Sequence, residues 1–450
     1  MIIKVNKGYD LDIEGSPLKD IADIAVGELL RLHPSDFPGV KPKLLVKNGD
    51  RLKKGQPVYF DKVNKDIVFT APISSVVEEI KLGERRVVDY IDLRPEGSDE
   101  IESMQHTLEE ILTLTNESIV NTLCSSGLWP MIRKRPFSKI PKPGETPKAI
   151  FISAMSTAPF AVDLDVLLDH VSIKDIQSGI NVLSKLTVGD VNFIVPGYKT
   201  NSKIDNLKGV VVHTHSGPHP AGNVGVHIST INPIKDKNDS VWYLSFQDLI
   251  QIGQYFLNGK NDCKKIITVA GYAVEKKQHF RITRGTLVST ILKNNKINEN
   301  SRLISGDILS GSISNEERSL NFYDESLTII NNSKKREFLG WIAPGFNKYS
   351  LSNTFFSKLM PKKNWILNTA KNGSLRAIVP IGAIEKVVPL DIMPTLLLKA
   401  IISRDIENME ELGIYECSPE DFSLCSFVDP SKMEISQIIQ EGLNFAEEEG

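Results

Sequence analysis

The stretch Gly209–Ile228, GVVVHTHSGPHPAGNVGVHI, decides the fold at the middle of this 450-residue chain. Three successive valines, Val210–Val212, predict a buried strand. Ser216–Gly222 is rich in Gly and Pro, so it can neither continue a strand nor form a helix interior. The strand pattern then resumes at Val224–Ile228. Because open α/β sheets keep their ligands in a crevice at the strand ends, we expect such a crevice at this loop.

Four of the eight histidines lie in this stretch, namely His213, His215, His219 and His227. His213 and His215 share one face of the predicted strand, so a metal site is geometrically open to them. The surrounding sequence has neither an HExxH motif nor a nearby Cys pair, and we assign no metal. The alternative is that these are core or loop histidines that hydrogen-bond to the backbone.

Long motifs run in order from one end of the chain to the other. They are Lys7–Leu11, Ser126–Trp129, Arg135–Lys139, His213–Ile228, Val241–Tyr243, Phe246–Gly253, Ile304–Gly311, Gly340–Gly345, Val379–Gly382 and Pro389–Asp391. Through these motifs the sequence resembles the NqrA subunit of the sodium-translocating NADH:quinone reductase. The resemblance covers about 450 residues, the whole chain.

The resemblance implies membership of a complex that passes electrons from NADH to quinone and exports sodium. It also implies that the flavins and the iron–sulfur centre belong to other subunits, and that ubiquinone or menaquinone is the substrate bound. The partners would be the other subunits, chiefly the integral membrane ones. The chain would be peripheral, at the cytoplasmic face of the cell membrane, with no catalytic residue of its own.

Composition fits this setting. The chain is 41% hydrophobic and 24% charged, as in globular proteins, and its net charge of −3 does not favour a nucleic-acid surface. Four scattered cysteines suggest no disulfide framework. The most apolar segment, Ile392–Ile402, is too short to span a bilayer and contains Pro394 and Lys399. We therefore expect any membrane role to come through partners.

We predict a multidomain α/β and β fold in four units. Residues 1–95 form a carrier-like barrel-sandwich, since short strands alternate with turns such as Lys47–Asp50. Residues 96–258 alternate strands with helices, which indicates a Rossmann-like parallel sheet. Residues 259–330 return to strands, including one at Gly285–Leu292, and resemble a β-grasp domain of the soluble-ligand-binding type. Residues 331–450 form the C-terminal unit, helical from about residue 389.

Three sequence patterns partly resemble cofactor sites, but each lacks a feature that the site requires. Lys62 loosely matches the modified lysine of biotinyl or lipoyl carriers, and we interpret it as a surface lysine. Gly253–Lys260 has the wrong spacing for a phosphate loop and Asn261 where Ser or Thr is required, so Gly259 is a helix cap. Cys417 and Cys425 are two thiols where an iron–sulfur cluster requires four, so we assign no cluster.

The segment from Gly127 to Gly144 is rich in Pro, and its cations alternate with Trp129 and Phe137. The resemblance places quinone contacts at Ile132–Lys139 and at Leu32–Val40. Cationic donors can hydrogen-bond quinone carbonyls, and aromatic rings can contact the quinone ring. The candidate quinone-binding residues are Arg133, Arg135, Pro136, Phe137, Lys139 and Phe37. The alternative is a basic loop that docks onto another subunit, and the sequence leaves both open.

Overall fold

The computed structural model describes residues 1–197, 202–333, 339, 342–346, 348–351, 354–360 and 364–450. Within these ranges, no helix combines the length and the apolar character needed to cross a membrane. Gly340 and Trp341, which begin one of the motifs quoted above, lie outside the described residues.

The first 95 residues contain nine strands. They are β1 Ile2–Lys4, β2 Leu18–Asp23, β3 Leu30–Leu32, β4 Pro42–Leu44, β5 Arg51–Leu52, β6 Pro57–Asp61, β7 Val68–Thr70, β8 Ser75–Leu82 and β9 Val88–Pro95. Strands β3 to β9 form two antiparallel sheets, ordered β3-β9-β8-β5 and β4-β6-β7. The predicted turn Lys47–Asp50 is closed by the Lys47 amide, which donates to the Asp50 carboxylate at 2.9 Å.

β1 and β2 do not pair within this barrel-sandwich. β1 pairs in parallel with residues 211–216, and β2 pairs in parallel with residues 278–283. The first 23 residues therefore tie together sheets formed by later parts of the chain, a connection that a division at residue 95 does not capture.

The α/β unit begins with two capped helices and then alternates strands with helices. Its elements are α1 Leu108–Thr113, α2 Asn116–Ser125, β10 Arg133–Arg135, β11 Ala149–Ser153, α3 Leu164–Asp169, α4 Ile173–Leu183, β12 Val191–Pro196, α5 Ser202–Asp205, β13 Val211–Ser216, α6 Val224–Ile231, β14 Val241–Ser245 and α7 Phe246–Asn258. The sheet order is β1-β13-β12-β11-β14-β10, parallel except for β10. Gly259 caps α7 in the left-handed conformation, with φ of 67°.

The prediction that Val224–Ile228 resumes a strand is wrong, because these residues open helix α6. A short apolar run does not distinguish a buried strand from a buried helix. Here β13 and β14 run in the same direction within one sheet. Parallel strands need a crossover connection, and α6 supplies it. The valines also differ from expectation: Val211 is 40% exposed, and the buried positions of β13 are His213 and His215.

The third unit is a mixed sheet with one short helix. Its elements are β15 Lys264–Ala270, β16 Gln278–Thr283, α8 Val288–Leu292, β17 Ser301–Ser305, β18 Ser312–Ser314 and β19 Ser326–Asn331, in the order β18-β17-β19-β15-β16-β2. The predicted strand Gly285–Leu292 is wrong, because Val288, Ile291 and Leu292 bury one face at helical spacing. The β-grasp interpretation stays a prediction.

The C-terminal unit is helical from Pro394, as predicted. Its helices are α9 Pro394–Ser403, α10 Ile406–Glu411, α11 Ser423–Val428 and α12 Ile435–Glu449. Phe422 and Ile439 pack in one core with Phe151 and Tyr243 of the α/β sheet. The helical unit therefore covers one face of that sheet, and the cysteines Cys417 and Cys425 are buried in the shared core.

Candidate functional site

The segment Arg133–Lys139 forms an edge strand followed by a tight turn. β10 pairs antiparallel with β14, with Arg133 opposite Tyr243. Phe137 and Ser138 then adopt left-handed φ values of 75° and 53°, which reverse the chain within two residues. The Lys134 amide donates to the Lys139 carbonyl at 2.7 Å and closes the turn. The predicted residues consequently separate into a buried strand end and an exposed turn.

Arg135, at the strand end, is fully buried beside the buried Pro136. One terminal nitrogen of its guanidinium donates to the Glu420 carboxylate at 2.7 Å, and the other donates to Asp421 at 3.3 Å. Both carboxylates come from the turn that precedes α11. Burial raises the pKa of Asp421, and the adjacent Arg135 guanidinium offsets part of that rise. Arg135 therefore joins the α/β sheet to the helical unit.

The Asp421 carboxylate also lies against the first turn of α6. A Cβ atom added to Gly225 would come within 2.6 Å of the Asp421 Cγ. Asn223 adjoins it and donates from its side-chain amide to the Glu420 carbonyl at 3.1 Å. The Asp421 carboxylate therefore lies at the N-terminal end of α6, where anions are favoured.

Arg133 is enclosed by aromatic rings. Its guanidinium carbon lies 4.6 Å from the centre of the Tyr243 ring and 4.2 Å from that of Tyr323. The Tyr323 hydroxyl donates to the Pro130 carbonyl at 2.7 Å, which fixes one of these rings. Arg133 thus makes cation–π contacts on both sides and packs the α/β unit against the third unit.

Phe37 lies in an aromatic cluster and is 6% exposed. Its ring centre is 4.6 Å from that of Phe69 and 4.8 Å from that of Phe322. The cluster lines a cavity of about 90 Å³, together with Lys265 and other residues.

A second cavity lies at the turn. It measures about 220 Å³ and is lined by three segments that are far apart in sequence, namely Pro38 and Gly39, the turn residues Phe137, Ser138 and Lys139, and Gln440, Leu443, Asn444 and Glu447 of α12. We call it the turn groove. It unites the two segments predicted from sequence to contact quinone, Leu32–Val40 and Ile132–Lys139.

The turn groove has apolar and charged walls. Phe137 packs edge-on against Tyr415, with ring centres 6.0 Å apart, and Leu443 lies in the core of the helical unit. Lys139 Nζ lies 2.6 Å from each carboxylate oxygen of Glu447, and the lysine side chain remains 32% exposed. Sequence reasoning missed the α12 wall, because nothing in the amphipathic pattern of that helix indicates which segment it will face.

The four histidines of the opening stretch are buried, and none of them lines the turn groove. His213 lies 2.9 Å from the Asn192 amide oxygen, and His227 lies 3.0 Å from the Ala221 carbonyl oxygen. The rings of His215 and His227 are 4.6 Å apart, and burial lowers their pKa values to about 4 and about 3. Among the described residues, no group of three or more His, Cys, Asp or Glu side chains is arranged to hold a metal ion.

Family models match the first three of these units. Residues 3–96 match the NqrA N-terminal barrel-sandwich hybrid domain, residues 114–261 match the NqrA second alpha/beta domain, and residues 266–316 match the NQRA C-terminal domain. Among solved structures, an NAD⁺-reducing NiFe hydrogenase in its air-oxidised state matches with a TM-score of 0.34 and 12% identity, over 50% of this chain and 51% of that one. That likeness is too weak to support any argument.

Similar proteins of known family are the NqrA subunits of Na(+)-translocating NADH-quinone reductases in several bacteria. The protein from Neisseria meningitidis serogroup B is 37% identical over 450 residues, and the one from Histophilus somni is 38% identical over 450 residues. That from Hahella chejuensis is 37% identical over 452 residues, and in all three cases the match covers 100% of both chains. This chain therefore belongs to the NqrA family and is one of the subunits of a Na⁺-translocating NADH-quinone reductase.

Proposed function

We propose that this chain is a peripheral subunit, at the cytoplasmic face of the cell membrane, that contributes to quinone binding through the turn groove. Its partners are the integral membrane subunits of the complex, and its ligand is ubiquinone or menaquinone. The flavins and the iron–sulfur centre reside in other subunits. In this account the chain binds and orients quinone and has no catalytic residue of its own.

One observation carries the proposal: the turn groove joins two segments that are about a hundred residues apart in sequence and that both belong to the quinone site expected from the sequence. Its volume of about 220 Å³ exceeds the roughly 150 Å³ that accommodates one aromatic ring. Phe137 and Leu443 supply an apolar wall, and the Lys139 amine is a donor for a quinone carbonyl. The isoprenoid tail would extend outside.

A second candidate function is docking, and a different observation favours it. The groove lysine is already engaged by Glu447, and Arg135 is engaged by Glu420 and Asp421. A cofactor-free scaffold subunit needs nothing more from these cations than to hold its own units together and to present a surface. In that case the groove would be an incidental gap beside an ion pair.

Titration of the isolated chain with a short-chain, water-soluble quinone analogue separates the two. Lys139→Met keeps the stem and removes the donor. A hydrogen bond from a charged donor contributes about 1.5–3 kcal/mol, so affinity should fall about tenfold to a hundredfold. Glu447→Gln releases the amine from its partner and should leave affinity equal or higher. Lys174→Met, at an exposed lysine of α4, is the matched control and should change nothing.

The docking function predicts another pattern. The proposed quinone site would be wrong if the analogue did not bind saturably to the isolated chain. It would also be wrong if wild type and Lys139→Met bound the analogue with equal affinity. Loss of the subunit from the complex in both Lys139→Met and Glu447→Gln would assign the pair to assembly.

A further inference from the structure

One wall of the turn groove is a tight turn in the barrel-sandwich unit. The Val40 amide donates to the Phe37 carbonyl at 3.2 Å, and Gly39 has a φ of 83°. Proline at the second position and glycine with positive φ at the third are the residues that a type II turn favours. Pro38 and Gly39 therefore form the tip of this turn, and both line the groove.

The side chain of Lys139 lies directly against Gly39. A Cβ atom added to Gly39 would lie 3.3 Å from both the Cδ and the Cε of the lysine and 3.5 Å from its Nζ. The two carbon distances are shorter than the roughly 3.5–4.0 Å at which carbon atoms pack best. The lysine can therefore take this position only because residue 39 has no side chain.

The lysine is held at three points along its length. Its backbone carbonyl accepts from the Lys134 amide at 2.7 Å, its stem rests on Gly39, and its Nζ lies 2.6 Å from each carboxylate oxygen of Glu447. An ammonium group has three N–H donors. Glu447 can accept two of them, and the described residues show no other acceptor for this amine. One donor is thus left for a quinone carbonyl.

We propose that Gly39 is a positioning residue, whose backbone supports the Lys139 side chain and so determines where its amine meets a quinone carbonyl. This inference rests on the proposed function, because the position of the amine matters only if quinone binds in the turn groove. It also gives the segment Leu32–Val40 a role that does not require Phe37 to touch the ligand. The Phe37 ring anchors the turn in its aromatic cluster, and Gly39 supports the lysine.

Gly39→Ala in the assembled complex tests the proposal. The lysine stem is flexible, so it should yield to the added methyl by a few tenths of an ångström. Because a hydrogen bond weakens steeply as its geometry is distorted, the apparent KM for quinone should rise at least about threefold, with kcat unchanged. The rise should be smaller than the one expected for Lys139→Met, which removes the donor altogether.

Gly49→Ala is the matched control. Gly49 occupies the third position of a similar turn, with a φ of 87°, and the Asp50 amide donates to the Lys47 carbonyl at 3.1 Å. A Cβ atom added there meets no atom of the described residues within 4 Å. The control therefore introduces the same backbone strain without a contact, and it should leave KM unchanged. Thermal unfolding should show similar losses of stability in the two alanine variants.

A double-mutant cycle shows whether Gly39 acts through the lysine. In a chain that already carries Lys139→Met, Gly39→Ala should raise KM no further, because the amine that it displaces is gone. A methyl that merely occupied space in the groove would raise KM by the same factor in both backgrounds. Gly39→Asn repeats the test with less backbone strain, since Asn tolerates positive φ, and it should raise KM as Gly39→Ala does.

The outcomes separate this inference from the proposed function. If Lys139→Met raises KM while Gly39→Ala behaves as Gly49→Ala does, the positioning role is wrong and the quinone site stands. The positioning role is also wrong if Gly39→Ala raises KM equally with and without the lysine. An unchanged KM in Lys139→Met would overturn both the quinone site and the positioning role.

Discussion

Arg135 and Lys139 lie four residues apart in one basic stretch, yet the structure gives them opposite environments. Arg135 is fully buried between Glu420 and Asp421, whereas the side chain of Lys139 is 32% exposed and borders the turn groove with Glu447. Both cations bridge to the C-terminal helical unit. Removing a partner from a buried ion pair costs several kcal/mol, and an exposed pair contributes little. The comparison therefore separates a buried cation that holds the fold from a partly exposed cation whose ion pair contributes little to stability.

The largest effect is expected from Arg135→Ala. The substitution leaves two carboxylates near or within the core without their cation, which costs about 3–5 kcal/mol. Chemical denaturation should show an earlier transition, and limited proteolysis should release the helical unit first. Combining Arg135→Met with Asp421→Asn removes the uncompensated charge and should recover part of the loss. If Arg135→Ala were as stable as wild type, the claim that the buried ion pairs of Arg135 hold the fold would be contradicted.

Gly225→Ala tests the same cluster without changing any charge. The added methyl would lie 2.6 Å from the Asp421 Cγ, so the carboxylate must move away from α6. Overpacking of this kind costs about 1–3 kcal/mol, which the shift of the denaturation midpoint measures. Gly83→Ala is the control, since it has a negative φ and no neighbouring atom closer than 3.8 Å. Equal denaturation midpoints for the two variants would mean that the Asp421 carboxylate does not pack against the first turn of α6.

Acid should lower the free energy of unfolding, because the buried histidines resist protonation in the folded chain. Burial lowers the pKa of His215 to about 4, against 6.5 for an unburied histidine. Below about pH 6.5 the unfolded chain takes up a proton that the folded chain does not bind, so stability present above that pH is lost as the pH falls toward 4. One such proton corresponds to a slope of about 1.4 kcal/mol per pH unit.

His215→Phe removes this titrating group while keeping a planar ring. Denaturation at a series of pH values should give a shallower fall in stability for the variant than for wild type, by up to that slope. His227 continues to titrate in both proteins, because burial also lowers its pKa, to about 3. Parallel curves for the two proteins would show that His215 is not held neutral by burial.

Much of the fold follows from sequence pattern. The alternation of strands and helices within residues 96–258 and the helices after residue 389 are predicted correctly, because buried runs and amphipathic periods are local signals. Val224–Ile228 and Gly285–Leu292 are predicted wrongly, because a short apolar run fits either a strand or a helix and only the sheet topology decides between them.

The site is predicted less completely, for a physical reason. Sequence supplies charge and residue type, but burial is a property of the packed chain. Nothing within Arg133–Lys139 reveals that Arg133 will lie between Tyr243 and Tyr323, or that α12 will supply Glu447 to Lys139. Phe37 and Lys139 are predicted at one quinone site, and the structure places them beside two different cavities, Phe37 within an aromatic cluster.

The most direct test of the central claim is the quinone dependence of the assembled complex carrying Lys139→Met, with subunit stoichiometry determined on the same preparation. An exposed pair contributes about 1 kcal/mol or less, so the variant should fold and assemble normally. The account predicts full occupancy, normal NADH oxidation with an artificial acceptor, and an apparent KM for quinone raised about tenfold to a hundredfold. Full occupancy with an unchanged KM would contradict it.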